Sequence, residues 1–243
     1  MAIIENGYLR GQIGNLVNRK VGYKNVVQTK PSDKTKQTRW TEAAASDFGT
    51  ASAAGSLIRR AFRQVFHNLH DSEMNTRLNK YMQRVLRGNG KYDPGYLRVS
   101  KGNIQRLVDF QFNAKCHIYD YVYAEPQVSF APSGTTTILI PALDVQRNFN
   151  NPKSCSHITL KIDVIGFHFS GKCFKLIGTH ENEYQLYDGK TDAQTLVFDV
   201  DDSNYESILV CLSVTYITKN GNYSFLINSK DLNPAGIIAA YNL

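Results

Sequence analysis

The stretch HITLKIDVIGFHF, residues 157–169, decides the fold class of this chain. Its isoleucine, leucine and valine residues alternate with more polar ones, which is the pattern of a strand with one buried face. Further short apolar runs lie on both sides of it, with turn signals such as Asn220-Gly221 between them. The candidate strands are 107–113, 127–131, 135–141, 157–169, 172–177, 195–200, 207–218 and 224–228. Short strands without intervening helical patterns predict an antiparallel β-sandwich over residues 104–243.

Residues 41–103 have the pattern of a helical hairpin and a closing glycine-rich loop. Thr41 is the expected N-cap of the first helix, and Asp71 or Ser72 that of the second. Gly55 weakens the first helix, and a break there is one expectation. The apolar and small positions of the first helix are Ala44, Phe48, Ala51, Gly55, Ile58, Phe62, Val65 and Leu69. Those of the second are Met74, Leu78, Tyr81 and Val85. Narrow seams of this kind pack against another helix.

Residues 1–40 form a basic arm that is interrupted by glycines. Apolar pairs flank the turn sequence GYKN at residues 22–25, which predicts a β-hairpin, and Pro31 ends the second strand. No internal repeat is evident. The residues expected to pack on a neighbouring copy of the chain are Leu16, Val17, Val26, Val27 and Trp40.

The predicted fold class is therefore α+β, with an N-terminal extended β-hairpin arm, a two-helix segment and a C-terminal antiparallel β-sandwich. The three expected domains are residues 1–40, 41–103 and 104–243.

Charge is distributed unevenly along the chain. Residues 1–103 hold 18 Lys and Arg against 7 Asp and Glu, a net charge of +11, whereas residues 104–243 hold 10 against 14, a net charge of −4. A basic half favours phosphates or the acidic half of a neighbouring copy.

The composition excludes several classes of protein. With 42% hydrophobic and 20% charged residues, the chain is typical of a globular protein. It holds no apolar run long enough for a membrane span. Its first residues lack the features of a signal peptide, so a cytoplasmic location is expected, with non-classical release left open. The four widely spaced cysteines are expected to be reduced.

A basic patch is expected on the helical hairpin, because four cations of the second helix recur at steps of three and four and share one face. Its members are Arg59, Arg60, Arg63, Arg77, Lys80, Arg84 and Arg87. With the cationic arm, such a patch is typical of a nucleic-acid interface. It equally fits a solvated helix face or the binding surface for an acidic subunit.

The sequence holds no catalytic signature, so we do not expect an enzyme, a cofactor or a small-molecule substrate. The strongest metal candidate is the zinc set Cys155, His157, His168 and Cys173, whose spacing matches no standard site. The acidic run DVDDSNYE, residues 199–206, is typical of a solvated turn more than of a calcium site. We therefore expect no metal.

The opening pattern NGYLRGQIGNLVNRKVGYKNVVQTKP, from Asn6 to Pro31, followed by K-x-K-x-T-x-x-T, resembles the start of a group of uncharacterised Bacteroidetes proteins. The likeness continues at LVDFQFN, residues 107–113, and at NPKSCSHITLKIDVIGFHF, residues 151–169. Ser154-Cys155 stand where that group has a glycine-alanine pair. The resemblance implies a bacterial source or a mobile element of one, and it implies no activity and no site residue.

These observations favour a self-assembling structural protein, in which an arm or strand packs on a neighbouring copy to build a filament, tube or shell. The expected partners are other copies of the chain. The alternative is a nucleic-acid-binding protein that uses the arm and the basic patch. A third hypothesis, a carbohydrate-binding module, rests on the aromatic residues Tyr119, Tyr121 and Tyr123.

Overall fold

The computed structural model describes residues 2–30, 36–88, 90, 93–131, 134–200 and 204–243. It confirms an α+β fold in which the β-rich part is C-terminal. The chain divides into two compact units, residues 1–42 and 43–243. The predicted helical and β zones therefore lie together in the second unit.

The first unit is an antiparallel four-stranded meander, which we call the arm sheet. Its strands are Ala2–Glu5 (β1), Tyr8–Ile13 (β2), Leu16–Val21 (β3) and Lys24–Thr29 (β4). The predicted hairpin is confirmed as β3 and β4, with Val21 opposite Lys24. The sequence analysis missed β1 and β2, because the glycines between the strands were interpreted as interruptions.

Those glycines mark two-residue turns that recur every eight residues. The turns are Asn6-Gly7, Gly14-Asn15 and Gly22-Tyr23. Gly7, Gly14 and Gly22 each have a positive φ, between 58° and 77°, as such tight hairpin turns require. The arm thus has an eight-residue period, contrary to the expectation of no repeat.

Two antiparallel helices begin the second unit, Arg39–Ala61 (α1) and Met74–Leu86 (α2). The expected break in α1 at Gly55 does not occur. A Cβ at Gly55 would lie 2.8 Å from Asn79 Oδ1, so the missing side chain lets α2 approach closely.

The predicted seam of α2 is buried at Met74, Leu78 and Val85. Neither Asp71 nor Ser72 caps this helix, because Glu73 is the N-cap residue and its side chain bonds to no helix N–H.

In the residues that the structure describes, the rest of the second unit consists of strands, one short helix and the three 3₁₀ turns named below. The strands are Gln127–Phe130 (β5), Thr135–Ile140 (β6), Leu143–Asp144 (β7), His157–His168 (β8), Cys173–Gln185 (β9), Lys190–Thr191 (β10), Gln194–Asp199 (β11), Ser207–Asn220 (β12), Tyr223–Leu226 (β13) and Ala235–Asn242 (β14). The helix Val145–Asn148 (α3) lies between β7 and β8. The 3₁₀ turns are Val99–Lys101, Ile104–Leu107 and Ile118–Asp120.

The centre of this unit is a five-stranded antiparallel sheet built around the pair β8 and β12. β9 lies beside β8, and both β13 and β14 pair with β12. A second sheet has the order β11-β6-β5, and β7 pairs with β10.

The central sheet is covered on both faces, so β8 is more buried than its sequence pattern predicts. Even-numbered residues such as Ile162 belong to the apolar core that includes the three-stranded sheet. On the opposite face, Ile165 and Phe167 join the core formed by α1 and α2. The expected sandwich is thus present between the two sheets, and the helices add a third layer.

Residues 107–113, predicted to be a strand, instead follow a 3₁₀ turn and run irregularly along β14. Asp109 has φ +66°, which interrupts an extended conformation. The backbone nevertheless bonds to β14, because Phe112 N–H donates to Ala235 O at 2.9 Å and Ile237 N–H donates to Phe110 O at 2.9 Å. The alternating apolar pattern of this segment reflects its packing under the helices.

A buried asparagine fixes the α1–α2 connection to the central sheet. The Asn233 side-chain amide donates to Phe66 O at 2.9 Å and to Leu69 O at 3.3 Å. Its Oδ1 accepts a bond of 2.8 Å from Asn228 Nδ2, and Asn228 Oδ1 in turn accepts from Tyr216 N–H on β12. The connection between the helices is therefore held in one place.

A glycine in β9 allows the two sheets to approach, and its replacement tests this packing. A Cβ at Gly178 would lie 2.3 Å from the Phe198 ring of β11. We expect Gly178→Ala to destabilise the protein by about 1–3 kcal/mol through overpacking. Gly49→Ala is the matched control. Its Cβ would meet nothing within 4 Å, so this exposed position of α1 should gain up to about 1 kcal/mol in helix propensity. Urea unfolding curves measure both changes, and equal stability of the two variants would contradict the packing.

Candidate functional site

The arm sheet exposes most of its apolar side chains, and none of those described is buried. Among its described residues only Asn18 is buried, at 7% exposure. Ile4 is 77% exposed and Val27 56%, and Trp40, at the start of α1, is 71% exposed. Val17 and Val26 are half-buried. The other exposed large apolar residues of the arm sheet and its turns are Ile3, Ile13, Leu16, Val21 and Tyr23.

These side chains lie on both faces of the arm sheet. Successive residues of a strand point to opposite faces, so each adjacent pair of apolar residues supplies one side chain to each face. Three such pairs occur, at Ile3-Ile4, Leu16-Val17 and Val26-Val27. The strand register places Leu16 and Val27 on one face and Val17 and Val26 on the other. Four of the five predicted arm residues are therefore divided between two apolar faces.

The arm sheet also has two open edges and surplus positive charge. β1 and β4 are its outer strands, and neither pairs with a further strand in the part of the chain that the structure describes. Arg10 forms an ion pair of 2.6 Å with Glu5, the sheet's one carboxylate. Arg19 and Lys24 form no ion pair with any described residue.

The predicted basic patch does not form one continuous surface. Arg77 points into the protein, where Nη1 donates to Gln111 O at 2.9 Å and the guanidinium lies 5.2 Å from the Phe110 ring. It also forms an ion pair with Asp71, so it has a structural role. Lys80, Arg84 and Arg87 continue along α2 away from this point.

The remaining cations fall into two groups at opposite ends of the helical hairpin. Arg59 and Arg63 line an opening beside the first turn of α2, together with Asn75. Arg87 lines a small cavity with Asp47 of α1, at the other end of α2. At 1.5 Å per residue, positions 75 and 87 lie about 18 Å apart. Sequence periodicity places residues on a helix face but does not show which of them a neighbouring segment covers.

Sequence reasoning missed a large cleft beside α1, which the 95–99 segment and the β8–β9 turn enclose. Its volume is about 840 Å³, and its cationic lining consists of Arg60, Arg98 and Lys172. Tyr96, 75% exposed, lines it as well. These side chains come from three separate segments, and no sequence pattern connects them.

The structure does not bring the predicted zinc set together. His157 and His168 are at opposite ends of β8, about 36 Å apart at 3.3 Å per residue. Cys155 is buried and its thiol donates to His157 O at 3.1 Å, and burial raises the pKa of that thiol. Of the acidic run at residues 199–206, residues 201–203 lie outside the described residues, and Glu206 accepts from the N–H groups of Phe169 and Ser170. Within the described ranges, no group of three or more His, Cys, Asp and Glu side chains is arranged to hold a metal ion.

The tyrosines of the carbohydrate hypothesis do not form an exposed platform. Tyr119 and Tyr121 are half-buried and pack against the core beneath the three-stranded sheet, and burial raises the pKa of Tyr119 to about 12. Tyr123 alone of the three is largely exposed, at 56%. The described part of the chain contains no helix long and apolar enough to cross a membrane.

Comparison with known proteins gives no match to any family model, curated protein or solved structure. The resemblance to Bacteroidetes proteins therefore stays a prediction, and function has to be argued from the surfaces described above.

A substitution of Asp71 tests whether the cluster of Asp71, Arg77 and Phe110 stabilises the fold. Burial alone would raise the pKa of Asp71, but hydrogen bonds from Ala114 N–H and Arg77 outweigh it and lower the pKa. A carboxyl with a lowered native pKa contributes stability above its unfolded value of about 3.9, and this is lost as pH falls through the native pKa. We expect Asp71→Asn to lose about 1–3 kcal/mol at neutral pH and to approach the wild type below that range.

Asp231→Asn is the control, because Asp231 also has a lowered pKa, owing to its ion pair with Lys115, but is almost fully exposed. Solvent screening should leave that substitution without measurable effect on stability. Chemical unfolding at several pH values makes the comparison, and equal losses in the two variants would contradict a structural role for the cluster.

Proposed function

We propose that this chain is a self-assembling structural subunit, and that a neighbouring copy covers its arm sheet to build a filament, tube or shell. The observation that carries the proposal is the exposure of apolar side chains on both faces of the arm sheet. A sheet of this size needs at least one packed face for independent stability. Among the described residues, no apolar side chain of either face is buried.

Charge favours another copy of the chain as the partner. The arm sheet has five Lys and Arg residues up to Lys30 against the single carboxylate Glu5, whereas residues 104–243 are net acidic. An interface between unlike surfaces joins copies head to tail, and such interfaces produce rings or open filaments. The role is structural and does not require a catalytic group.

β9 is the receiving surface best suited to the arm. It is the outer strand of the central sheet over 13 residues, so its outer backbone groups are available to an added strand. Phe174 and Leu176 are exposed at 38% and 50% on this strand. The exposed carboxylates Glu181 and Glu183 follow, of which Glu183 already pairs with Lys219. The exposed apolar residues match those of the arm, and Glu181 offers a carboxylate to its cations.

A pair of substitutions in the arm sheet tests the proposal. Val27→Asp places a charge on an apolar face of the arm sheet, whereas Asn15→Asp places the same charge in the Gly14-Asn15 turn, outside both faces. Both side chains are exposed in the isolated chain, so both variants should fold as the wild type does. We expect Val27→Asp and a chain lacking residues 1–30 to remain monomeric at concentrations where the wild type and Asn15→Asp assemble.

Light scattering and negative-stain electron microscopy give the result. A wild-type chain that stays monomeric at high concentration would refute the proposal. Assemblies that survive both Val27→Asp and removal of the arm would show that the arm is not the joining element.

A further inference from the structure

The cleft beside α1 continues into a second opening at the end of that helix. The second opening has a volume of about 260 Å³ and lies between Arg63, residues 66–70 and the start of α2. Ser56 and Arg60 line both openings, so the two are continuous. We call the combined surface the arginine basin and define it by its cations Arg59, Arg60, Arg63, Arg98 and Lys172.

The arginine basin is lined by five cations and by no Asp or Glu, as far as the described chain extends. Glu206 lies at its rim, where it accepts hydrogen bonds from the N–H groups of Phe169 and Ser170. None of the five cations forms an ion pair with a described residue. Among the described residues, the one bond formed by their charged groups joins Arg63 Nε to Asn68 Oδ1 at 3.2 Å and orients that guanidinium. Like charges at close range repel unless an anion lies between them, so the basin favours an anionic ligand.

Two further features point to an anion at the narrow end of the basin. The first turn of α2 contributes Met74 and Asn75, and Glu73 provides no side-chain cap. Asp71 accepts from the N–H groups of Glu73 and Met74, whereas the Asn75 N–H, which has no partner among the described residues, stays available to a ligand. His70 lines the same opening, and its Nδ1 is buried without a hydrogen-bond partner in the described chain. Phe66 packs edge-on against the His70 ring at 5.4 Å and holds it there.

The position of Arg59 and Arg60 in the last turn of α1 has a simpler explanation, because cations there stabilise the helix dipole. That explanation does not extend to Arg98 and Lys172, which come from other segments and line the same cleft. The convergence of three segments on one uncompensated surface is the feature that requires a ligand.

The wide end of the basin adds an aromatic ring to the cations. Tyr96 is 75% exposed and has no ring partner among the described residues. Phe169, by contrast, already stacks on Phe167 at 5.3 Å. The basin follows α1 from Gly49 to Arg60, about 17 Å at 1.5 Å per residue. Cations along an elongated groove with an exposed ring match the phosphates and bases of a single strand.

We propose that the arginine basin binds single-stranded nucleic acid, with Arg60 and Arg98 on the phosphates and Tyr96 stacked on a base. The proposal goes beyond assembly, because all of these residues lie in the second unit and none belongs to the arm sheet. It keeps Arg59, Arg60 and Arg63 of the predicted basic patch and adds Arg98 and Lys172, whereas Arg77 of that patch is used inside the protein.

Fluorescence anisotropy with a labelled oligothymidylate of about 12 nucleotides tests the proposal. The full chain is titrated at about 50 mM and about 200 mM salt, and binding should weaken steeply at the higher concentration. We expect Arg60→Gln and Arg98→Gln each to weaken binding about 10-fold and to reduce the salt dependence by about one phosphate contact. Tyr96→Ala should cost about 5-fold or more, whereas Tyr96→Phe, which keeps the ring, should bind as the wild type does.

Arg84→Gln and Arg19→Gln are the matched controls, because each removes one exposed arginine outside the basin, on α2 and on the arm sheet. Both should change affinity by less than about 2-fold. Thermal unfolding of every variant ensures that only folded proteins are compared.

Four outcomes would overturn the proposal. The first is an absence of binding at low salt. The second is equal weakening by the basin variants and by the controls, which would show diffuse charge attraction. The third is binding of polyglutamate as tight as that of the oligonucleotide with no effect of Tyr96→Ala, which would assign the basin to an acidic segment of a second copy. A mononucleotide that binds as tightly as the oligonucleotide would likewise exclude an extended strand.

Discussion

The pairing of β8 with β12 is the interaction on which the second unit depends. The two strands are in register from Ser207 opposite Phe167 to Ile217 opposite His157, and most of their side chains are buried. Side chains alternate across a sheet, so a strand pair with apolar residues on both faces needs a covering layer on each. The three-stranded sheet supplies one layer and the helical hairpin supplies the other. The hairpin is therefore part of the core of the sheet, which explains why it does not form a separate unit.

The arm sheet also has apolar residues on both faces, but within the described ranges its faces lack the covering layers that the central sheet has. Its adjacent apolar pairs place side chains on both faces, as in β8 and β12, but no layer of described residues buries them. In a central strand such pairs are expected, whereas in an exposed meander they require cover from outside. The arginine basin has a comparable excess of positive charge, since its five cations have no carboxylate partners in the described chain. Both proposals therefore start from surface groups that lack a partner: apolar side chains in the arm sheet and cations in the basin.

The sequence predicted those elements whose residues form a clear local pattern. The strand at 157–169 was found from its alternation, the strand at 207–218 from its run of apolar and β-branched residues, and the α2 seam from its regular spacing. β14, with the sequence AGIIAAYN, was missed because its small residues resemble neither pattern. The second half of β9 was missed because this outer strand carries polar residues on its exposed side. The segment 107–113 was wrongly assigned, since alternation alone does not reveal the left-handed Asp109.

The candidate sites were harder to predict, because they depend on contacts between distant segments. Arg77 and Lys80 are equivalent by spacing on α2, yet only Arg77 meets Phe110 and Asp71. Arg98 and Lys172 line the cleft because the 95–99 segment and the β8–β9 turn both lie beside α1. No local sequence pattern predicts that these two distant segments come together. By contrast, the arm residues were identified because adjacent apolar pairs are a local signal.

Amide hydrogen exchange, measured over a range of protein concentrations, tests the central claim most directly. The account predicts that the backbone amides of residues 2–29 exchange rapidly in dilute solution and become protected as concentration rises and copies cover the arm sheet. The amides of β8 should stay protected at every concentration, because that strand is buried on both faces. Exchange in the arm sheet that does not change with concentration would contradict the claim that a neighbouring copy completes it.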